Sequence, residues 1–334
     1  MHWIVPFASG LSEALSGARA EVALPRLAQW AALARREPVP GAEPPPGMPA
    51  HPQDPELSLS PPHEVAWARA IGWQPVDGCV PLAAVAAARA GLLPGGVAAG
   101  SAWGRLTPAH WQIGTEQVTL LDPAHLGLDE AESRAFLEAV RPLLEEGGEQ
   151  EGATLHWAGV HEWLLCDEGL AGLACASRDR VIGRHVDLWL GADPRARRVR
   201  RLQNEVQMLL HTHPLNAERE ARGALPLNSF WLDGCGALPG PWVEPQAMVV
   251  DARLRGPALA DDGSAWARAF EALDEEVGGA ALSMALEGHP TAITLCGERH
   301  ACTLRAGPVG PWPRWRMRLA PPGPAALRTL LEGL

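Results

Sequence analysis

The sequence predicts a layered α/β fold, and two observations carry that reading. Strand-like apolar runs and amphipathic helical stretches interleave along the 334 residues with no internal repeat. Such interleaving belongs to sheets covered by helices rather than to separate all-α and all-β domains. At 47% hydrophobic content, the chain can also bury a full core as one large unit or as two lobes.

Residues 2–7 read as a first buried strand, and Ala8-Ser9-Gly10 as the turn after it. Residues 24–34 place Leu24, Leu27, Trp30, Ala31 and Leu33 at near-helical spacing, with Pro25 in the first turn. Between 38 and 62 there are ten prolines, which predicts a solvated, polyproline-like loop. Short helices are expected near 62–71, opened by Ser60 as N-cap, and near 81–90. Residues 117–121 alternate like a strand. The clearest helix is 128–144, whose first turn is crowded with Asp and Glu where the helix dipole favours them. Further strands are expected at 154–157, 163–166, 186–190, 227–232, 247–250, 291–295 and 315–319, and further helices at 199–212, 265–276 and 324–331.

Composition excludes several chemistries. All 28 basic residues are Arg, and Tyr is absent. Without Lys there is no Schiff-base chemistry, no phosphate loop of the G-x-x-x-x-G-K-[ST] type and no S-x-x-K acyl enzyme. The net charge of −11 argues against a nucleic-acid binder. No basic leader precedes the first apolar run, no run is long enough for a membrane span, and the six cysteines include no C-x-x-C. These features predict a cytoplasmic protein with reduced thiols, no cofactor and no membrane partner.

Scarcity of Lys, Tyr and Asn fits a GC-rich codon bias, and residues that survive such a bias mark physical requirements. The three asparagines, Asn204, Asn216 and Asn228, all lie within one 25-residue window. There a helix ends at Pro214, Asn216 stands at an expected N-cap for a helix over 217–222, and Gly223 follows as its C-terminal glycine. A strand then runs into Asp233-Gly234-Cys235-Gly236. Two readings stay open. The residues are caps and turns, or His213, Asn216, Arg219 and Asn228 are donors gathered beside Gly234 and Gly236 to hold a small anion. Asn204, His110 and Ser9 are further pocket candidates.

The order His213-Pro214-Leu215-Asn216, Arg219, Gly223, Pro226-Leu227-Asn228, Gly234 and Gly236 resembles a motif of archaeal-type cofactor-independent phosphoglycerate mutases, in the alkaline-phosphatase superfamily. Asn204-Glu205 is similar to the segment that precedes it there, and Leu24-Pro25-Arg26-Leu27 to the segment after the family's first strand. Leu106-Thr107-Pro108-Ala109-His110-Trp111 and Gln203 through Met208 look like a bacterial group of phosphoglycerate-mutase-like, RpfE-type regulatory proteins. The resemblance implies a mostly parallel central sheet flanked by helices, with a second, smaller α+β lobe. It implies a core domain from 1–37 and 225–334, a loop over 38–62 and an inserted lobe over 63–224.

The resemblance also implies two divalent metals held by Asp and His, and a Ser that accepts the phosphoryl group. The family's Asp-Gly after the first strand is replaced here by Ser9-Gly10, and no acidic residue precedes Glu13. The C-terminal ligand segment is likewise missing, leaving Asp274-Glu275-Glu276 and the isolated His289 and His300. The expectation is therefore a diverged relative without metal-dependent mutase activity, which binds a phosphorylated or carboxylated metabolite or acts in regulation. An active mutase or phosphatase with unrecognised ligands, and an interaction module without a ligand, are the alternatives. His211-x-His213 is a weak metal candidate because alternate helical residues face apart. The run Arg195, Arg197, Arg198, Arg200 and Arg201 is either a solvated helix start or a contact for an anionic or protein partner. Ser177, His185 and Asp187 offer the residue types of a hydrolase triad without its G-x-S-x-G elbow.

Overall fold

The first apolar run forms β1 (His2–Val5), which places Trp3 and Val5 on one face of a sheet and Ile4 on the other, as the period of two requires. In this computed structural model, residues 1–45, 55–93, 100–115, 117–146, 152–190, 195–307, 323 and 325–334 are described. The helices α1 (Glu13–Glu21) and α2 (Pro25–Ala31) follow, then β2 (Arg35–Val39), α3 (Pro62–Ala70) and α4 (Leu82–Arg89). A second run gives β3 (Trp103–Ala109), the hairpin β4 (Trp111–Ile113) and β5 (Val118–Leu120), α5 (Glu130–Glu146), β6 (Thr154–Gly159) and β7 (Glu162–Cys166). Then come α6 (Arg178–Val181), α7 (Ala196–His211), α8 (Pro214–Ala221), β8 (Ser229–Gly236) and β9 (Met248–Val250). The chain continues through α9 (Arg255–Leu259), α10 (Gly263–Leu273), α11 (Gly279–Glu287), β10 (Thr291–Cys296), β11 (Ala301–Ala306) and α12 (Ala325–Glu332).

The central sheet has the order β2-β11-β10-β1-β9. Its three strands β10, β1 and β9 run parallel, while β11 and β2 add an antiparallel edge. A second, antiparallel sheet has the order β6-β7-β3-β8. The helices fill three layers around the two sheets. Trp30, Trp266, Phe270 and Leu273, from α2 and α10, cover one face of the central sheet. Between the sheets lie α3 and α4, where Ala66, Trp67, Ala83 and Val85 meet Ile4 from one sheet and Trp103 and Leu164 from the other. The outer face of the second sheet is covered by α5 and α7 through Phe136, Val140, Leu202 and Val206. The layered α/β class read from the sequence is the class observed, and no helix among the described residues is long and apolar enough to cross a membrane.

Several local expectations are corrected. Residues 186–190 are not a strand but a single 3₁₀ turn (Val186–Leu188), because His185 Nδ1 accepts the Asp187 N–H and the buried residues are Val186 and Trp189, three apart. Asn216 does not cap α8. His213 does, since Pro214 both stops α7 and opens α8. Ser60 does not cap α3 either; Pro61 holds that position, and Ser60 Oγ accepts from the Gly78 N–H at 2.8 Å. The proline-rich segment begins inside β2, where Pro38 is tolerated because β2 is an edge strand. The strand expected over 315–319 lies outside the described residues.

Candidate functional site

The asparagine window folds into a clamp on the main chain. Asn216 is buried, and its Nδ2 donates to the carbonyls of Leu210 (2.9 Å) and Leu227 (2.6 Å) while its Oδ1 accepts from the Leu227 N–H (2.8 Å). Asn228 closes the end of the β3·β8 ladder in the same manner, accepting from the Trp111 N–H and donating to the Trp111 carbonyl. Arg219 has no exposed surface. It donates to the Leu225 and Leu126 carbonyls and to Glu132 Oε2 at 2.9 Å. Arg222 also pairs with Glu132. Burial alone would raise the Glu132 carboxyl, yet Arg222 and Arg219 outweigh it and hold it below the usual carboxylate range. His213 Nδ1 accepts from the Leu215 N–H at 3.3 Å and the ring lies 6.4 Å from that of Phe136.

The remaining window candidates are scattered. Gly234, inside β8, has φ +64, and a Cβ there would come within 3.1 Å of the Ala83 amide, so this point of the strand requires glycine. Gly236, at φ +137, packs on Pro81. Asn204 is exposed on α7, whereas its neighbour Gln203 is buried and donates to the Phe230 carbonyl. His110 Nδ1 lies 2.8 Å from the Pro226 carbonyl. Ser9 Oγ accepts from Arg19 at 2.7 Å in the other half of the molecule. In the basic run, Arg195 donates to the Ala171 and Gly172 carbonyls, Arg198 pairs with Asp167 and Arg201 with Glu205. Ser177 is hydrogen-bonded to Glu64, away from His185, so no triad forms.

A different site stands at the carboxyl ends of the parallel strands, where open α/β sheets place their ligands. A cleft of about 310 Å³ is lined there by Phe7 and Ser12 after β1, by Glu298 after β10, and by His63, Asp179, Arg180, Arg184 and Asp261. Both non-glycine residues with positive φ among those described, Phe7 (+57) and Asp261 (+53), line this one cleft. Strained backbone of that kind costs about 1–3 kcal/mol and clusters at functional sites.

Three carboxylates on the cleft wall are already compensated. Asp179 accepts from Arg255 at 2.6 and 2.8 Å and faces His63 Nε2 at 3.3 Å. Burial alone would push its carboxyl up, but His63 and Arg255 dominate and hold it well below the usual range. Glu298 takes Arg184 (2.7 Å) and the Leu11 N–H (3.1 Å), and Asp261 takes Ser12 Oγ (2.5 Å).

Arg180 is the exception. It is 2% exposed, and its guanidinium donates to the carbonyls of Glu298 and Pro55 and to Ser58 Oγ. Its Nε has no hydrogen-bond partner, and among the described residues no carboxylate lies within ion-pair distance of it. Burial and the nearby Arg184 lower its pKa to about 10, against the more distant carboxylates of Asp77, Glu298 and Glu64, which raise it. The first turns of α1 and α3 border the same cleft with Ser12, Pro62 and His63, adding two positive helix ends. A buried guanidinium with no direct ion pair among the described residues, beside two helix N-termini, can hold a small anion.

Sequence reasoning passed over His63, Asp179, Arg180, Arg184, Asp261 and Glu298. The available signal was the charged run Arg178-Asp179-Arg180 inside a stretch of small and apolar residues, Ala174 to Ile182.

Comparison with known proteins gives a sequence match and several structural ones, two of which follow. The chain is 28% identical over 109 residues to a probable 2,3-bisphosphoglycerate-independent phosphoglycerate mutase of Geobacter sulfurreducens. That match spans 33% of this chain and 27% of the relative, so it reaches about a quarter of that protein's length. The PH0037 protein of Pyrococcus horikoshii superposes with a TM-score of 0.43 at 12% identity, covering 92% of this chain and 87% of its own. A cofactor-independent phosphoglycerate mutase of Thermoplasma acidophilum superposes with a TM-score of 0.32 at 11% identity, covering 91% and 89%. No family model matches.

The two-metal group that the motif implies does not fit the residues present. After β1 the aspartate position carries Ser9, engaged by Arg19, and among the described residues no three His, Cys, Asp or Glu side chains form a set able to hold a metal ion. His211 and His213 are not part of any such set.

Proposed function

We propose that the chain is a diverged phosphoglycerate mutase-like protein that binds a small phosphorylated or carboxylated metabolite in the cleft at the ends of β1 and β10. Its role in this reading is regulatory, without two-metal mutase turnover. The observation that carries it is Arg180, a buried guanidinium with an unpartnered Nε on the wall of a 310 Å³ cleft. Burying a cation without a direct ion pair is costly, and a bound phosphate or carboxylate would offset that cost. The local identity to the Geobacter sulfurreducens mutase and the motif from His213 to Gly236 support the family, and Ser9 at the expected ligand position supports divergence.

Thermal unfolding with 3-phosphoglycerate, beside a turnover assay in Mn²⁺ and Zn²⁺, tests this. Ligand at about a hundredfold its Kd should add about 2.7 kcal/mol of stability. The expected result is a raised Tm with no metal-dependent turnover. Metal-dependent turnover of phosphoglycerate would sink the reading of divergence, and an unchanged Tm at millimolar ligand would sink the metabolite site.

A further inference from the structure

None of the six cysteines is in a disulfide. Two of them nevertheless meet across the core: Cys235 Sγ lies 3.8 Å from Cys175 Sγ, although the residues are 60 apart in sequence. Cys235 is fully buried at the end of β8, and Cys175 is half-buried on the segment between β7 and α6. That segment is fixed against β8 by Trp231 Nε1, which donates to the Ala176 carbonyl at 2.8 Å, and by the Arg178 N–H, which donates to Asp233 at 2.8 Å. The two sulfurs are therefore held as neighbours by hydrogen bonds on the C-terminal side of Cys175 and by its own N–H, which donates to the Gly78 carbonyl. A crevice of about 30 Å³ beside Cys175, walled by Ala174, Trp189 and Trp231, has room for a molecule of the size of water or hydrogen peroxide and no more.

We propose that Cys175 and Cys235 are a redox modification site, closed to a reversible intramolecular disulfide by hydrogen peroxide. Cys175, the accessible thiol, attacks the peroxide. Its sulfur takes one oxygen to become a sulfenic acid, the O–O bond breaks, and the other oxygen leaves with the thiol proton as water. Cys235 then attacks the sulfenic sulfur. Its thiol proton leaves with the displaced hydroxide as a second water, so two thiols lose two electrons and the peroxide gains them. The order of events follows from the surroundings. Cys235 is fully buried while Cys175 borders the crevice, so Cys175 meets the oxidant and Cys235, in contact with it, resolves the sulfenic acid. Cys79 stands one residue beyond Gly78, whose carbonyl accepts the Cys175 N–H at 2.9 Å, and it serves as the internal control for pairing. This inference does not depend on the anion reading of the cleft.

The test treats the full-length chain with hydrogen peroxide, alkylates it under denaturing conditions and maps its peptides. Two of the six thiols should escape alkylation, a Cys175–Cys235 peptide should appear, and dithiothreitol should restore both thiols. Cys235→Ala should instead leave a sulfenic acid on Cys175 that dimedone traps, while Cys79→Ser should cross-link like the parent. Full alkylation of the peroxide-treated chain, a bridge that uses Cys79, or sulfinic acid on Cys175 beside an alkylatable Cys235 would each overturn the proposal. The mapping on the parent chain decides the matter even where a variant fails to fold.

Discussion

Two buried arginines, one in the clamp over 213–228 and one in the cleft, divide the molecule into a region that holds itself together and a region that is left wanting a partner. Arg219 has its donors on two carbonyls and a carboxylate. Arg180 is almost as deeply buried, yet it reaches only carbonyls and a hydroxyl and keeps an unpartnered Nε. The same residue type at the same depth thus does two different jobs. The discriminating feature is how completely the surroundings answer its charge and its hydrogen-bonding groups. The motif that draws the eye in the sequence lies in the satisfied region.

The sharpest way to break that contrast is to remove each guanidinium in turn. Arg219→Met strands two buried carbonyls and half of the Glu132 pairing, and should cost about 3 kcal/mol in urea-induced unfolding. Asn216→Ala removes three buried bonds to the main chain and should cost about 2 kcal/mol in the same measurement. Arg180→Met should change stability by less than about 1 kcal/mol, because lost hydrogen bonds are offset by relief of a buried charge that has no direct ion pair. A loss at Arg180 as large as that at Arg219 would erase the distinction between the two regions.

A smaller effect depends on pH. His2, on β1 of the central sheet, has its pKa lowered to about 4 by burial and by Arg305, with its Nε2 at 2.7 Å from Thr294 Oγ1. The unfolded chain takes up this proton near pH 6.5, before the folded one does. Stability should therefore fall as pH drops from about 6.5 towards 4 and then level off for this group. In His2→Gln that slope should be shallower, which stability curves at stepped pH check.

How much of this the sequence could tell depended on the range of the interactions. β1 and α5 were legible because Trp3-Ile4-Val5 and the 128–144 periodicity are local patterns that packing reinforces. β3 was not legible as a strand: Gly104, Arg105 and Pro108 break the usual pattern. Arg105 becomes admissible in the core only through its paired bonds to Asp233 at 2.6 and 2.9 Å, 128 residues away. β11 was missed for a related reason, since Ala301 to Leu304 is buried on both faces and shows no alternation. In the candidate site, His63 and Asp179 meet from α3 and α6 across 116 positions, and Arg180 cannot be told from Arg219 by residue type. Asn216 was noticed for its rarity, and its three main-chain bonds supply a structural reason for its retention.

The central claim is that the guanidinium of Arg180, which has no direct ion pair, and not the donors of the clamp, holds the anion. Calorimetric titration of 3-phosphoglycerate into the parent chain and into Arg180→Met tests it directly. A charged hydrogen bond of about 1.5–3 kcal/mol predicts that Arg180→Met binds about ten- to a hundredfold more weakly, with the fold intact. Undiminished affinity in Arg180→Met would contradict the account.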